Sequence, residues 1–78
     1  MLSNTATYNN AAERGPVTNL LIPRYVSLKA SEANARRGPS LSHRIDWVFK
    51  KKGMPLEIYG EYDNWRRVRD SEGAGGWI

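Results

Sequence analysis

The sequence contains no cysteine, only one histidine and no long run of apolar residues. Without cysteine the chain forms no disulfide and has no thiolate chemistry, so packing alone has to stabilise the fold. His43 lies among polar residues without carboxylates at metal-ligand spacing, which argues against a zinc site. No segment reaches the roughly 18 consecutive apolar residues that a transmembrane helix requires. We therefore predict a chain without a membrane span, a bound metal or a cofactor.

The chain also lacks a recognisable set of catalytic residues. His43 has no serine or cysteine nucleophile at a catalytic spacing. Glu57 and Glu61 are predicted to share one face of a strand, but the strand rise separates them by roughly 13 Å, too far to share a proton. The glycines do not form a phosphate-binding loop that opens a helix. The sequence therefore predicts a protein that is not an enzyme.

The chain contains a modest number of apolar residues and an excess of basic residues. Its 78 residues suit one small domain, which buries only about 60% of the surface of the unfolded chain. Twelve Lys and Arg against eight Asp and Glu give a net charge of +4, which favours acidic partners. The basic residues cluster at positions 50–52 and at Arg66, Arg67 and Arg69. Strand alternation places Arg67 and Arg69 on the same face.

Residues 1–21 are predicted to form a flexible or loosely docked N-terminal arm. Residues 1–19 are mostly small and polar and show neither the period of a strand nor that of a helix. An apolar patch at residues 17–22, between two prolines, is expected to cover one end of the core. Residues 1–12 lack the basic start and the apolar run of a secretory signal, so the chain as written carries no export signal.

Alternation of apolar and polar residues predicts five short strands within residues 22–78. The strands are expected at residues 25–30, 45–50, 56–61, 65–69 and 77–78, with a long loop at residues 31–42. Turn formers separate the strands, and no amphipathic helix is visible. These features indicate an all-β fold, a small five-stranded barrel with an irregular N-terminal arm.

Two tryptophans have different predicted environments. Trp47 alternates with Ile45 and Phe49 on one face of the second strand, and we predict that it lies in the core. Trp65 and Val68 break strict alternation in the fourth strand. Either a bulge allows both side chains to enter the core, or the Trp65 ring lies at the surface. The pattern leaves both alternatives open.

Two motifs in the chain resemble those of bacterial SH3 domains. The first follows the first strand, and the second combines a tryptophan strand with a glycine pair before the last tryptophan. They consist of Asn34, Ala35, Arg36, Arg37, Gly38, Pro39 and Ser40, and of Trp65, Val68, Gly75, Gly76, Trp77 and Ile78. The resemblance extends over residues 22–78 and implies an SH3-like barrel. The closing segment that the family has after the last tryptophan is missing here, which predicts an open edge at the final strand and self-association through it.

The resemblance implies a ligand groove between the long loop and the second hairpin. We predict that Arg36, Tyr62, Trp65 and Trp77 bind the ligand there, with Tyr25 belonging to the same aromatic set. Arg36 would offer its guanidinium to a ligand carboxylate. The alternative is structural, because an arginine at this place also pairs with an acid such as Glu57 or Glu61.

The resemblance further implies a non-catalytic binding module of the bacterial cell envelope. Its expected partner is a peptide, a peptidoglycan fragment or another protein. Two alternatives stay open, namely assembly through the open strand edge and weak nucleic-acid binding, which the mild positive charge disfavours. Family members are commonly exported, which implies a periplasmic location, whereas the missing export signal leaves the cytoplasm open.

Overall fold

The computed structural model describes residues 13–78, and residues 1–12 of the predicted arm lie outside the described residues. Within residues 13–78 the chain forms six strands and no helix. The strands are β1 (Arg24–Ser27), β2 (Ala33–Arg36), β3 (Ile45–Phe49), β4 (Pro55–Tyr62), β5 (Trp65–Arg69) and β6 (Gly75–Trp77). The described part of the chain accordingly holds no helix long and apolar enough to cross a membrane.

All strand pairs are antiparallel, and the order across the sheet is β1-β4-β5-β6-β2-β3. The predicted all-β fold is confirmed. The strand that the sequence did not reveal is β2, which lies inside the predicted loop of residues 31–42. Its residues, Ala-Asn-Ala-Arg, have low strand propensity. β2 forms because it pairs with β3 on one side and with β6 on the other.

The prediction of an open edge at the final strand is wrong. In β6, Trp77 pairs with Arg67 of β5 and with Arg36 of β2, so the strand has a neighbour on both sides. The glycine pair permits this close packing. A Cβ atom on Gly76 would lie 2.5 Å from the Arg36 carbonyl oxygen, and one on Gly75 would overlap the Val68 carbonyl. The strands at the two ends of the sheet are β1 and β3 instead.

The core lies on one face of this sheet. Its fully buried side chains are Phe49, Leu56 and Val68, which come from three different strands. Four further residues complete the cluster, namely Ile22, Leu28, Ala35 and Ile58. These residues alternate with exposed or partly exposed ones along β4 and β5, which is the pattern of a half-buried antiparallel sheet.

Trp47 does not lie in the core, which corrects the prediction from alternation. Its side chain is 48% exposed, and Ile45 on the same strand is 43% exposed. Both residues belong to β3, which has no strand beyond it in the sheet. An alternating apolar pattern therefore predicts a buried face only where neighbouring elements cover that face. In β3 the neighbouring elements bury Phe49 and leave Ile45 and Trp47 partly exposed.

A β-bulge in β4 changes which residues face the core. The pairing with β5 shifts between Ile58 and Gly60, so Tyr59 is an extra residue in β4. Glu57 therefore stays on the face opposite the core, whereas Glu61 is 7% exposed and points inward. The prediction that the two glutamates share one face is wrong, because that prediction assumed an uninterrupted strand.

The buried Glu61 carboxylate holds the segment before β1 against the sheet. It accepts hydrogen bonds from the backbone N–H groups of Val17, at 3.0 Å, and Thr18, at 2.9 Å. The Thr18 hydroxyl and the Arg24 guanidinium donate to its other oxygen at 2.5 and 2.9 Å. A Cβ atom on Gly15 would overlap this carboxylate, so a larger residue there would displace the Glu61 side chain. We name this arrangement the Glu61 latch.

The pKa of Glu61 reflects two opposing effects. Burial raises the pKa of the carboxyl, because a buried charge loses its hydration. Hydrogen bonds from Thr18, Val17 and Arg24 stabilise the charged form more strongly and lower the pKa from 4.5 to about 2. The latch is therefore built around an ionised carboxylate.

The apolar patch at residues 17–22 covers the core in part. Ile22 is 7% exposed and belongs to the core cluster. The other large apolar members, Val17, Leu20 and Leu21, are about half exposed. The segment is held by hydrogen bonds to Glu61 and by a bridge between Arg14 and Leu21, and its contribution to the core comes from Ile22.

Candidate ligand-binding face

The side chains opposite the core form a face rich in aromatic and arginine residues, which we call the outer face. In β5, Val68 points inward, so Trp65, Arg67 and Arg69 point outward by alternation. The strand pairing then assigns their neighbours to the same face. The outer face consists of Tyr25, Arg36, Glu57, Tyr59, Tyr62, Trp65, Arg67, Arg69 and Trp77.

One row of the outer face crosses four strands. Gly60 of β4 pairs with Arg67 of β5, which pairs with Trp77 of β6, which pairs with Arg36 of β2. The Trp77 ring lies over Gly60, since its Cη2 atom is 3.6 Å from the position that a Cβ atom on Gly60 would take. The absence of a side chain at Gly60 thus gives the indole its place beside Arg67.

A second aromatic pair lies at the end of the β4–β5 hairpin. Tyr62 and Trp65 are directly paired across the two strands. Asp63 follows with a φ angle of 53°, which closes the tight turn. Tyr62 is 60% exposed, while Trp65 is partly buried. The sequence allowed either a bulge that brings Trp65 into the core or a surface position for its ring. The bulge in this hairpin lies in β4, and the Trp65 side chain lies on the outer face.

Tyr59 organises the two outward arginines of β5. The guanidinium carbon of Arg69 is 4.0 Å from the Tyr59 ring centroid, and that of Arg67 is 5.1 Å from it. Both distances fall within the range of a cation–π interaction. The predicted placement of Arg67 and Arg69 on one face is confirmed. The bulge brings Tyr59 to this face, so the two cations share one ring.

A cavity of about 380 Å³ opens beside Arg69. Tyr25 of β1, Glu57 of β4, and Arg69 and Asp70 at the end of β5 are among its lining residues. The Arg69 Nε donates to the Glu57 carboxylate at 2.7 Å. The cavity does not include the four predicted binding residues. Of the predicted aromatic set it includes Tyr25, which is 75% exposed.

Arg36 has a structural role in its own loop. Its Nη1 donates to the carbonyl oxygen of His43 at 2.8 Å and to that of Leu41 at 3.3 Å. Among the described residues it forms no ion pair with Glu57 or Glu61, the acids that the sequence offered as partners. Arg36 thus fastens the loop between β2 and β3, and it reaches the outer face at the end of the row that contains Trp77.

The geometry gives the outer face binding chemistry. Within residues 13–78 no three His, Asp or Glu side chains lie close enough to hold a metal ion. Glu57 and Glu61 lie on opposite faces of β4, so they cannot act together on one substrate. Stacking on the exposed rings and hydrogen bonds from the guanidinium groups are what this face can offer a ligand.

Three residues that contact one another on this face, Tyr59, Arg67 and Arg69, were absent from the predicted binding set. The alternation in β5 already indicated the orientation of Arg67. Nothing in the sequence indicated that Tyr59 lies between Arg67 and Arg69, because the contact depends on the bulge in β4.

Comparison with known proteins places the chain in a family. The sequence profile described as "Bacterial SH3 domain" matches residues 29–78, which is more than half of the chain. No curated protein and no solved structure matches this chain. Members of this family are in general non-catalytic binding modules, often extracellular or associated with the cell wall. The match includes β2 to β6, and β1 precedes it. The all-β sheet and the profile match together show that the chain belongs to the bacterial SH3 domain family.

Proposed function

We propose that this protein is a non-catalytic binding module of the bacterial cell envelope that holds a peptide or a cell-wall fragment on its outer face. One observation carries the proposal. The strand register brings Tyr62, Trp65 and Trp77 together on the face opposite the core, with Arg67 between the two tryptophan positions. Arg36 stands at the border of this face through its pairing with Trp77.

Such a surface suits an extended, flexible ligand. Aromatic rings offer a large contact area and lose little conformational entropy on binding. Tyr62 is mostly exposed, and Trp65 and Trp77 are partly exposed, so a ligand can reach all three rings. The guanidinium of Arg67 adds a directional donor to this apolar surface. A periplasmic or exported location belongs to the same proposal, since peptides of the cell wall occur there.

The first experiment is a chemical-shift titration of isotopically labelled protein with soluble peptidoglycan fragments. The three indole N–H signals report on two different parts of the molecule. Trp65 and Trp77 lie on the outer face, whereas Trp47 lies on β3 at the opposite end of the sheet from β1. We expect the signals of Trp65 and Trp77 to move and that of Trp47 to stay. Equal shifts of all three, or none, would contradict binding at this face.

The variant Trp65→Ala tests the same face by affinity. Removing a central interface aromatic commonly costs more than 1 kcal/mol, so we expect binding of the responding fragment to weaken by about tenfold. Trp47→Ala is the matched control, because it removes a half-exposed indole from another surface. Backbone amide shifts establish that both variants remain folded. Unchanged affinity of a folded Trp65→Ala variant would contradict the proposed binding at the outer face.

Nucleic-acid binding is the second candidate, because the outer face carries Arg36, Arg67 and Arg69 against one acid, Glu57. Stacked bases and phosphate contacts would use the same rings and guanidinium groups. Salt separates the two candidates. Affinity dominated by phosphate contacts falls steeply between low and moderate salt, whereas stacking of a neutral peptide changes little.

A further inference from the structure

We propose that the outer face binds a carboxylate group of its peptide ligand at Arg67 and Arg69, with Tyr59 holding the two guanidinium groups in place. This inference rests on the proposed peptide-binding function and names the chemical group that the site recognises. It adds two arginines and a tyrosine that the sequence did not place in the binding set. The region defined by Tyr59, Arg67 and Arg69 is called the arginine pair below.

The first observation is that two like charges are held on one ring. The guanidinium carbons of Arg67 and Arg69 lie 5.1 and 4.0 Å from the same Tyr59 centroid. Two cations repel each other when they approach, and the negative face of the ring offsets only part of that repulsion. An anion beside either guanidinium would reduce that repulsion further. The ring also restricts both side chains, which lowers the entropy lost on binding.

The second observation is the incomplete neutralisation of the arginine pair. Arg69 uses its Nε to bind Glu57, at 2.7 Å. Among residues 13–78, its two Nη groups have no hydrogen-bond partner, and Arg67 has neither an ion pair nor a side-chain hydrogen bond. Within residues 13–78, the guanidinium of Arg69 is therefore paired with a carboxylate and that of Arg67 is not. A carboxylate of the ligand could accept two parallel N–H donors from the Arg67 guanidinium.

The third observation is space for the rest of the ligand. The cavity of about 380 Å³ includes Arg69 in its lining and contains the exposed Tyr25 ring and Pro55. Its second acid, Asp70, is held in the turn after β5, because its Oδ1 accepts hydrogen bonds from the backbone N–H groups of Glu72, at 2.9 Å, and Ala74, at 3.0 Å. A side chain of the ligand can enter this cavity while its carboxylate contacts the arginine pair.

Three acetylated tripeptides test the inference by chemical-shift titration. The first is an amide with a central glutamate, the second is the same amide with glutamine, and the third is the glutamine peptide with a free C-terminal carboxylate. The guanidinium Nε–H signals of Arg67 and Arg69 report binding. We expect shifts with the first and third peptides and none with the second. Of these two peptides, the one that binds more tightly shows whether the site prefers the carboxylate of an acidic side chain or that of a chain end.

Two variants of the protein act in opposite directions on binding of the tighter peptide. Arg67→Ala removes one guanidinium, and we expect the affinity to fall about tenfold, as for the loss of a charged hydrogen bond. Glu57→Gln keeps an acceptor for Arg69 but removes the competing charge, so we expect the affinity to rise about threefold. A merely structural role of Glu57 would predict no gain. Lys52→Ala, a loss of charge in an exposed turn, should change it by less than about twofold.

The outcomes separate this inference from the proposed function. Equal binding of all three peptides would overturn the carboxylate site and leave the peptide-binding function standing. Binding of inorganic phosphate and an oligonucleotide, with steep salt dependence and no peptide binding, would overturn both and favour the nucleic-acid candidate. If no probe shifts the Arg67 or Arg69 signals, the carboxylate site is overturned, and the indole titration with peptidoglycan fragments decides the function independently.

Discussion

At the scale of single residues, the buried charge of Glu61 determines how the segment before β1 is attached. A buried carboxylate is tolerated only when donors surround it. Glu61 has four such donor groups, and three of them belong to Val17 and Thr18. Thr18 contributes both its backbone N–H and its hydroxyl, so one residue accounts for half of the hydrogen bonds to the carboxylate.

The variant Thr18→Ala tests the contribution of the hydroxyl. Losing a hydrogen bond to a charged, buried group costs about 1.5–3 kcal/mol, so we expect the free energy of unfolding to decrease by about that amount. Denaturant unfolding measures the change. Thr18→Ser keeps the hydroxyl and serves as the control, and its stability should lie close to that of the natural sequence. Equal losses in both variants would show that the methyl group of Thr18 matters more than its hydroxyl.

At the scale of elements, β6 depends on glycine and β4 depends on its bulge. β6 lies between two strands, and the carbonyl oxygens of Val68 and Arg36 leave no room for side chains on Gly75 and Gly76. In β4, Tyr59 is the extra residue that sends Glu61 inward and leaves Glu57 outward. The outer face and the Glu61 latch both follow from this one irregularity.

The variant Gly76→Ala is expected to destabilise the sheet by about 3 kcal/mol, because its Cβ would approach the Arg36 carbonyl oxygen to 2.5 Å and separate β6 from β2. Gly73→Ala is the comparison. Gly73 has a φ angle of 88° but nothing within 4 Å of an added Cβ, so its cost is a backbone cost of about 1 kcal/mol. Thermal unfolding of both variants measures the difference. A smaller effect at Gly76 than at Gly73 would contradict this account of β6.

Alternation predicted much of the fold, and its wrong assignments concern two residues, Trp47 and Glu61. Ile58, Val68 and Phe49 are buried as their strand positions predict. Trp47 is half exposed because it lies on the terminal strand of the sheet, and strand order is a long-range property that local alternation does not contain. The inward turn of Glu61 follows from the bulge at Tyr59. Gly60 beside it is compatible with an irregularity in the strand, but a glycine alone does not indicate that an extra residue shifts the register.

The candidate site was predictable to a similar extent. Tyr62, Trp65 and Trp77 were chosen from the family resemblance, and the strand register brings them to one face. Their role in binding stays a prediction. The contact of Arg67 with Tyr59 could not be predicted, because it needs both the pairing of β4 with β5 and the bulge.

At the scale of the whole molecule, the Glu61 latch makes stability depend on pH. Glu61 has a pKa of about 2 in the folded protein against an ordinary value of 4.5. A lowered pKa means that the stabilisation is fully present above pH 4.5 and is lost as the pH falls towards 2. Protonation removes an acceptor for the hydrogen bonds from Val17 and Thr18, so residues before β1 should open first.

Hydrogen exchange between pH 5 and pH 2.5 measures this loss. After correction for the intrinsic pH dependence of exchange, we expect the Val17 and Thr18 amides to lose protection as the pH falls, ahead of Val68 in the core. Glu61→Gln is the control, because its amide does not titrate and the difference between these sites should become independent of pH. Simultaneous loss at all three amides in the natural sequence would indicate that the segment and the sheet unfold as one unit.

The Glu61 latch depends on residues that lie outside the region matched by the family profile. The family profile begins at Lys29, after β1 and after every donor that binds Glu61 in the latch. A chain shortened to the matched region would keep the acid and lose its donors, and it would also lose β1, the neighbour of β4. We therefore expect the smallest piece that folds independently to be longer than the region by which the family is recognised.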